Sequence, residues 1–129
     1  EEFLSSVSKT KDLQVFFNRA SRKVKAHVHC HQKALSNSKA TATVLSIPLN
    51  YSAEIIDSSC CGMAGSFGYE KEHYAVSMQM GGLKLFPAVN NSPKETLIAA
   101  SGTSCRHQIK DGTGRAAQHP VEILFDALK

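Results

Sequence analysis

Four thiols, Cys30, Cys60, Cys61 and Cys105, each close an apolar run that reads as a strand: AHVHC, AEIIDSSCC and TLIAASGTSC. A stretch of helical character follows every run. If the runs are parallel strands of one sheet, the sulfurs gather at its carboxyl edge, where open α/β sheets hold their sites. Thiolates take soft or borderline metals, and four of them satisfy a tetrahedral zinc or an iron-sulfur cluster. The spacings are far too wide for the CxxC pairs of a zinc finger, so only a folded sheet assembles such a site. The competing reading is that buried cysteines pack as small hydrophobes. A disulfide between the neighbours Cys60 and Cys61 would depart from relaxed geometry.

Histidines and cations flank the thiols. His29, Cys30 and His31 are consecutive, and His107 follows Cys105 by two residues. If HVHC is strand, His29 points away from Cys30, which leaves His31, and then His107, as the candidates for a further ligand or a proton carrier. His27, His73 and His119 read as structural. Lys33, Arg106, Lys110 and Arg115 lie close in sequence to Cys30 or Cys105; such cations lower a thiol pKa or tune a cluster, or are simply solvated. The segment CCGMAGSFGYE has the pattern GxxGxxG, which is neither the dinucleotide fingerprint nor a P-loop. Its glycines, Gly62 and Gly65 foremost, are expected to let the backbone approach a metal or a partner's cofactor. No Ser-His-Asp order and no HExxH is present, and Asp57 and Glu70 are single carboxylates, so hydrolysis is poorly supported.

The elements that must position these groups follow from periodicity. Phe3, Leu4 and Val7 form the stripe of a helix end over residues 1–9, and a loop or short helix carries Leu13 to Phe17. Val24 to Cys30 alternates as a strand, with Val24, Ala26, Val28 and Cys30 on one side. A helix is expected from Ser38 to Ile47, stopped by Pro48. Ala53 to Asp57 is a second strand, and the three glycines after it forbid a regular element there. A helix over 70–85 has Glu70 and Glu72 at its positive end, with Pro87 at its exit. Thr96 to Ala100 is the third strand, GTSCRHQIKDGTGR its loop, with a helical turn around Arg106 to Ile109. A last helix starts at His119-Pro120 and turns Val121, Leu124, Phe125 and Leu128 inward. Alternating strands and helices predict an α/β fold of three layers, a mainly parallel sheet with crossover helices and the cysteines at the carboxyl ends of the strands.

Composition sets the bounds. The 129 residues suffice for one domain with its own core, and the expectation is a single cysteine-rich domain over 1–129. The chain opens on Glu1-Glu2 and reads as a fragment of a longer protein. Apolar residues make up 42% and charged residues 20%, an ordinary globular balance without a membrane-spanning run. Four cysteines beside six histidines without a secretory signal point to metal or redox chemistry in a reducing, cytoplasmic compartment. The net charge of +4 is diffuse apart from Arg19, Arg22, Lys23 and Lys25. No aromatic residues interleave with that cluster and tryptophan is absent, which argues against nucleic acid.

At HCHQKAL, DSSCCGMAGSFGYEKEHY and GTSCRHQIKDGTGRAAQHPVEIL the sequence resembles the cysteine-rich CCG domain of iron-sulfur oxidoreductases. Within that group it is most similar to the C-terminal part of FAD-linked oxidases of the D-2-hydroxy acid dehydrogenase, glycolate oxidase and anaerobic glycerol-3-phosphate dehydrogenase type. The resemblance covers about Val24 to Leu128. It implies that Cys30, the vicinal pair Cys60 and Cys61, and Cys105 hold a metal or iron-sulfur centre for electron transfer, or else zinc. Gln108 stands where the family's final CxxC has its second cysteine, which tells against a five-thiolate centre and leaves a four-thiolate site, helped by a histidine such as His31. The resemblance also implies partners in the parent chain: a flavin domain carrying FAD, a ferredoxin-like segment, and a small 2-hydroxy acid as the parent's substrate. Any membrane association would come through those partners. The isolated stretch is then expected to lack dehydrogenase activity, with Arg106 and His107 as candidate catalytic residues in the parent, holding an anionic group or tuning the centre; the other reading pairs Arg106 with Asp111. The alternative role for the whole stretch is a structural zinc-binding or metal-free domain that covers the flavin domain and mediates assembly.

Overall fold

The computed structural model describes residues 1–129. Three strands, β1 (Arg22–His27), β2 (Tyr51–Ile55) and β3 (Leu97–Ala100), form one parallel sheet in the order β2-β1-β3. The central strand pairs Ala26 with Ile55 on one side and with Ala99 on the other. The free edge of β3 is extended by Gln118, which exchanges backbone bonds of 2.9 Å with Ile98 and Ala100. Around the sheet lie α1 (Glu2–Ser8), α2 (Cys30–Leu35), α3 (Lys39–Leu45), α4 (Tyr74–Leu83), α5 (Leu85–Asn90), α6 (Thr103–Thr113) and α7 (Pro120–Asp126). Each parallel connection runs through helices, as parallel pairing requires.

Strand alternation divides the core between two faces. Val24, Ala26 and Ala99 pack with Leu45 of α3 and Ile123 of α7. The opposite face carries Ile98 and Ala100 against Leu85, Phe86 and Val89 of α5 and Cys105 and Ile109 of α6, joined by Ile56, Cys61 and Met63. The result is the expected three-layer α/β arrangement. No helix is long and apolar enough to cross a membrane.

Several local expectations are corrected. β1 ends at His27, because its last paired residue is His27 opposite Ala100; Cys30 opens α2 and His29 caps it, its Nδ1 accepting from the His31 N–H. The region after Ala100 is not a loop but α6, which extends beyond the expected Arg106–Ile109 at both ends and is closed by Gly114 in the left-handed conformation. The helix placed at 70–85 begins only at Tyr74, so Glu70 and Glu72 precede it. Lys84 breaks it, and Pro87 lies in the first turn of α5, where its missing N–H is tolerated. The glycine-rich stretch does contain a regular element, a 3-10 turn over Phe67–Tyr69. In α1, Ser5 is buried whereas Phe3 is exposed. In α7 the inward residues are Ile123 and Leu124, while Val121, Phe125 and Leu128 are exposed. The start of α7 is as expected: the His119 side chain and Glu122 complete a reciprocal cap with Pro120 at the first position.

Candidate metal centre

Cys61 and Cys105 meet beneath the carboxyl edge of the sheet. Cys105 sits in the first turn of α6, just beyond the end of β3, and is 1% exposed; Cys61, in the loop after β2, is 4% exposed. Their sulfurs are 3.3 Å apart. His27, the last residue of β1, lies on the same face, because alternation opposite Ala26 turns it toward the layer that holds both cysteines. Its ring nitrogen and the two sulfurs lie within 4.8 Å of one another, all three residues being buried. Three donors of the types that hold borderline metals thus converge from the ends of β1 and β3 and the loop after β2. This donor set fits a metal-bound group.

The paired thiols share one proton. The hydrogen bond from Cys105 pulls the Cys61 thiol well below the ordinary range, against the effect of burial, and contact with His27 adds to the lowering. The same bond, together with burial and the charges of Cys61, Cys30 and Cys60, pushes Cys105 up. These directions make Cys61 the more acidic thiol of the pair, and thiolate is the form that binds metal. Cys60 is half-buried; burial pushes its thiol up, partly offset by the N–H of Gly62, which donates to its sulfur at 3.3 Å. Cys30 is exposed, and like the other three it is a free thiol. All four cysteines follow the carboxyl ends of the parallel strands, Cys30 after β1, Cys60 and Cys61 after β2 and Cys105 after β3, but only Cys61 and Cys105 reach ligand-to-ligand distance with a third donor.

The surrounding residues hold this pair in place. Gln108 lies one turn after Cys105 on the inner face of α6 and is 2% exposed. Its Nε2 donates to the Cys61 carbonyl at 3.0 Å, to the Ser77 carbonyl at 3.0 Å and to Ser77 Oγ at 2.8 Å. The amide that stands in place of a second CxxC cysteine is thus a staple between the cysteine loop, α4 and α6. Gln108→Ala leaves the Cys61 carbonyl without its side-chain donor and cuts the link to α4, and we expect it to lower stability by about 1–3 kcal/mol, read as a shift of the urea midpoint.

The other residues singled out from sequence fall around the centre. His31 is exposed on α2, its ring edge-on to His29 at 6.4 Å. His107 is exposed, with Nδ1 2.6 Å from the Tyr69 hydroxyl. Arg106 is not paired with Asp111; its guanidinium donates to the carbonyls of Ala100 and Ser101, both at 2.9 Å, and so caps the end of β3. Lys33 donates to the Ser58 carbonyl, Lys110 to Gly114, and Arg115 to the carbonyls of Ser92 and Thr96 among others. These four cations bond backbone carbonyls. Gly62 has φ +97°, and its close neighbour is the backbone of Ser77, while Gly65, at φ +73°, faces open space.

Sequence reasoning alone passes over His27. Carrying the strand through to Cys30 assigns the inner face to the even-numbered residues, and the odd-numbered histidines then fall on the wrong side. The signal that finds it is the triplet Cys105, Gln108 and Ile109 on α6, which marks the face of the sheet where a β1 side chain in phase with His27 is enclosed.

Comparison with known proteins finds dehydrogenase relatives. The chain is 31% identical over 106 residues to the subunit designated C of anaerobic glycerol-3-phosphate dehydrogenase from Escherichia coli (strain K12), covering 82% of this chain and 26% of that protein. It is 30% identical over 102 residues to D-2-hydroxyglutarate dehydrogenase of the same strain, covering 78% of this chain and 10% of that protein. With D-2-hydroxyglutarate dehydrogenase of Pantoea ananatis (strain AJ13355) it shares 33% identity over 75 residues, 58% of this chain and 7% of that protein. The chain therefore corresponds to a minor part of each of these relatives. No family model matches it, and no solved structure matches it significantly.

Proposed function

The chain is a CCG-type cysteine-rich relative of these dehydrogenases, and from that kinship we propose that it is the metal-binding electron-transfer module of a larger flavin-dependent oxidoreductase. The convergence of buried Cys61 and Cys105 with a third donor at the sheet's carboxyl edge carries this reading. Cys60 and Cys30, more exposed, are the further thiolates for an iron-sulfur cluster or zinc, with His31 beside them. The parent holds FAD in a separate flavin domain and a ferredoxin-like segment, and oxidises a small 2-hydroxy acid or related substrate. In that assembly Arg106 and His107 act near the flavin-facing edge on an anionic group or on the potential of the centre. The reducing cytoplasm keeps the four thiols free, and any membrane contact comes through the partners.

A second reading, an assembly domain that covers the flavin domain, is favoured by α4. Val76, Met80 and Leu83, spaced as one helical stripe, are 48%, 38% and 73% exposed, whereas small Ser77 and Gly81 face inward. Such a helix presents its bulky apolar side to a neighbour.

Metal and acid-labile sulfide analysis after anaerobic purification separates these readings. The electron-transfer reading expects iron with acid-labile sulfide, whereas stoichiometric zinc without sulfide, an ion with no redox chemistry, would favour the structural domain. A chain that takes up no metal, even after reconstitution with iron and sulfide or with zinc, would overturn the electron-transfer reading in favour of the assembly domain.

A further inference from the structure

We propose that His27 is a metal ligand, binding through Nε2 beside the sulfurs of Cys61 and Cys105, so that the centre is a mixed nitrogen and sulfur site rather than an all-thiolate one. The proposal deepens the metal-binding reading above and rests on it.

Three observations carry it. His27 is 2% exposed, and its position is fixed by the backbone pairing of a central strand, so the ring cannot swing out to solvent. Its Nδ1 is 2.7 Å from the buried Ser58 Oγ, while Nε2 has no hydrogen-bond partner. A ring nitrogen of His27 and the sulfurs of Cys61 and Cys105 lie within 4.8 Å of one another, and with Nδ1 engaged by Ser58 the nitrogen free to bind is Nε2. Buried polar atoms are almost always satisfied, so an orphan nitrogen beside two sulfurs calls for an occupant.

The hydroxyl of Ser58 has the place of the outer partner that orients a metal-bound imidazole. When Nδ1–H donates to Ser58 Oγ, the lone pair of Nε2 is left free for a metal, which is the tautomer ligation requires. Ser58 is itself pinned, its N–H donating to the Ile56 carbonyl at 2.8 Å and its carbonyl accepting from Lys33. Two thiolates and one imidazole match the preferences of a borderline divalent ion or of one iron in a cluster, with one coordination position left for Cys60, Cys30 or an exogenous ligand. His29 and His31, although they flank a cysteine in sequence, lie toward the surface, where the His29 ring accepts from the His31 backbone.

Cobalt(II), a spectroscopic stand-in for a tetrahedral divalent ion, provides the test. The anaerobically reduced 129-residue chain is titrated with cobalt as wild type, His27→Gln, His27→Cys and Cys61→Ser. The expected result is one tight site in wild type with thiolate-to-cobalt charge transfer. In His27→Gln the affinity falls at least about tenfold, the scale on which coordination partners act. In His27→Cys binding is retained, and the charge-transfer intensity rises by one thiolate's share. The His27→Cys arm keeps the test decisive if the Gln variant folds poorly. Unchanged affinity in His27→Gln, or an unchanged spectrum in His27→Cys, with wild type and Cys61→Ser behaving as expected, would overturn the role of His27 alone. Absence of binding in wild type would overturn the metal-binding reading, and this inference with it.

Discussion

Cys61→Ser loses metal affinity at least about a hundredfold while the apo-chain stays folded. A structural thiolate site is worth about 10–16 kcal/mol, so one ligand of four carries a few kcal/mol, and each 1.4 kcal/mol is a factor of ten. Serine cannot supply that ligand, because its hydroxyl does not ionise in the accessible range. It can still bond Cys105 across the gap that now measures 3.3 Å, so apo-stability falls by only about 1–2 kcal/mol. The effect is graded around the centre: comparably large in Cys105→Ser, smaller in Cys60→Ser, and smallest in Cys30→Ser, whose residue lies at the surface. Metal content and thermal melts on the four variants measure both quantities together. Equal metal content in wild type and Cys61→Ser would refute ligation by that sulfur.

Gly62→Ala acts through the fold instead. The residue has φ +97°, and a β-carbon built there stands 2.1 Å from the Ser77 carbonyl oxygen and 3.1 Å from Gln108 Nε2. Neither neighbour can retreat easily: the first is helix backbone and the second is the staple between α4 and α6. The left-handed backbone adds about 1–2 kcal/mol for any residue with a β-carbon, and the clash adds more, so the expected loss is at least about 3 kcal/mol. Gly65→Ala is the matched control. It has φ +73° with open space around it, and it should lose only the backbone part. Urea denaturation of the two variants decides the matter, and similar midpoints would show that the loop can shift away from α4.

Much of this architecture is legible because strands declare themselves by apolar runs. Val24, Ala26, Ile98 and Ala99 lie in the core as their pattern requires, and the collection of the cysteines at one end of the sheet follows from parallel topology. Phase and length are less legible. AHVHC continues its alternation past the last backbone pair, so the pattern alone cannot show that the strand ends before Val28 and that Cys30 opens a helix. In GTSCRHQIK, the glycine and hydroxyl residues read as loop, yet Gly102 precedes the helix and the face Cys105, Gln108 and Ile109 is one stripe of α6. In α7 the apolar residues outnumber those the core accepts, and the inward stripe is one residue away from the expected one. His27 is hidden by the same phase error. Its partner Ser58 is 31 residues away in sequence, and Cys105 is farther still, a relation that only the folded sheet expresses.

The order of the strands also dictates when the centre can come into being. The donors on β1, on the loop after β2 and on α6 form a complete set only after β3 has paired with β1, which closes a contact spanning more than half of the chain. A growing polypeptide therefore lacks Cys105 beside His27 and Cys61 until the residues through Thr113 have emerged and docked. Metal cannot nucleate this fold as it does a finger with locally spaced ligands. On the metal-binding reading proposed above, insertion would follow folding, and the exposed Cys30 and half-exposed Cys60 would be the thiols that first meet an incoming ion.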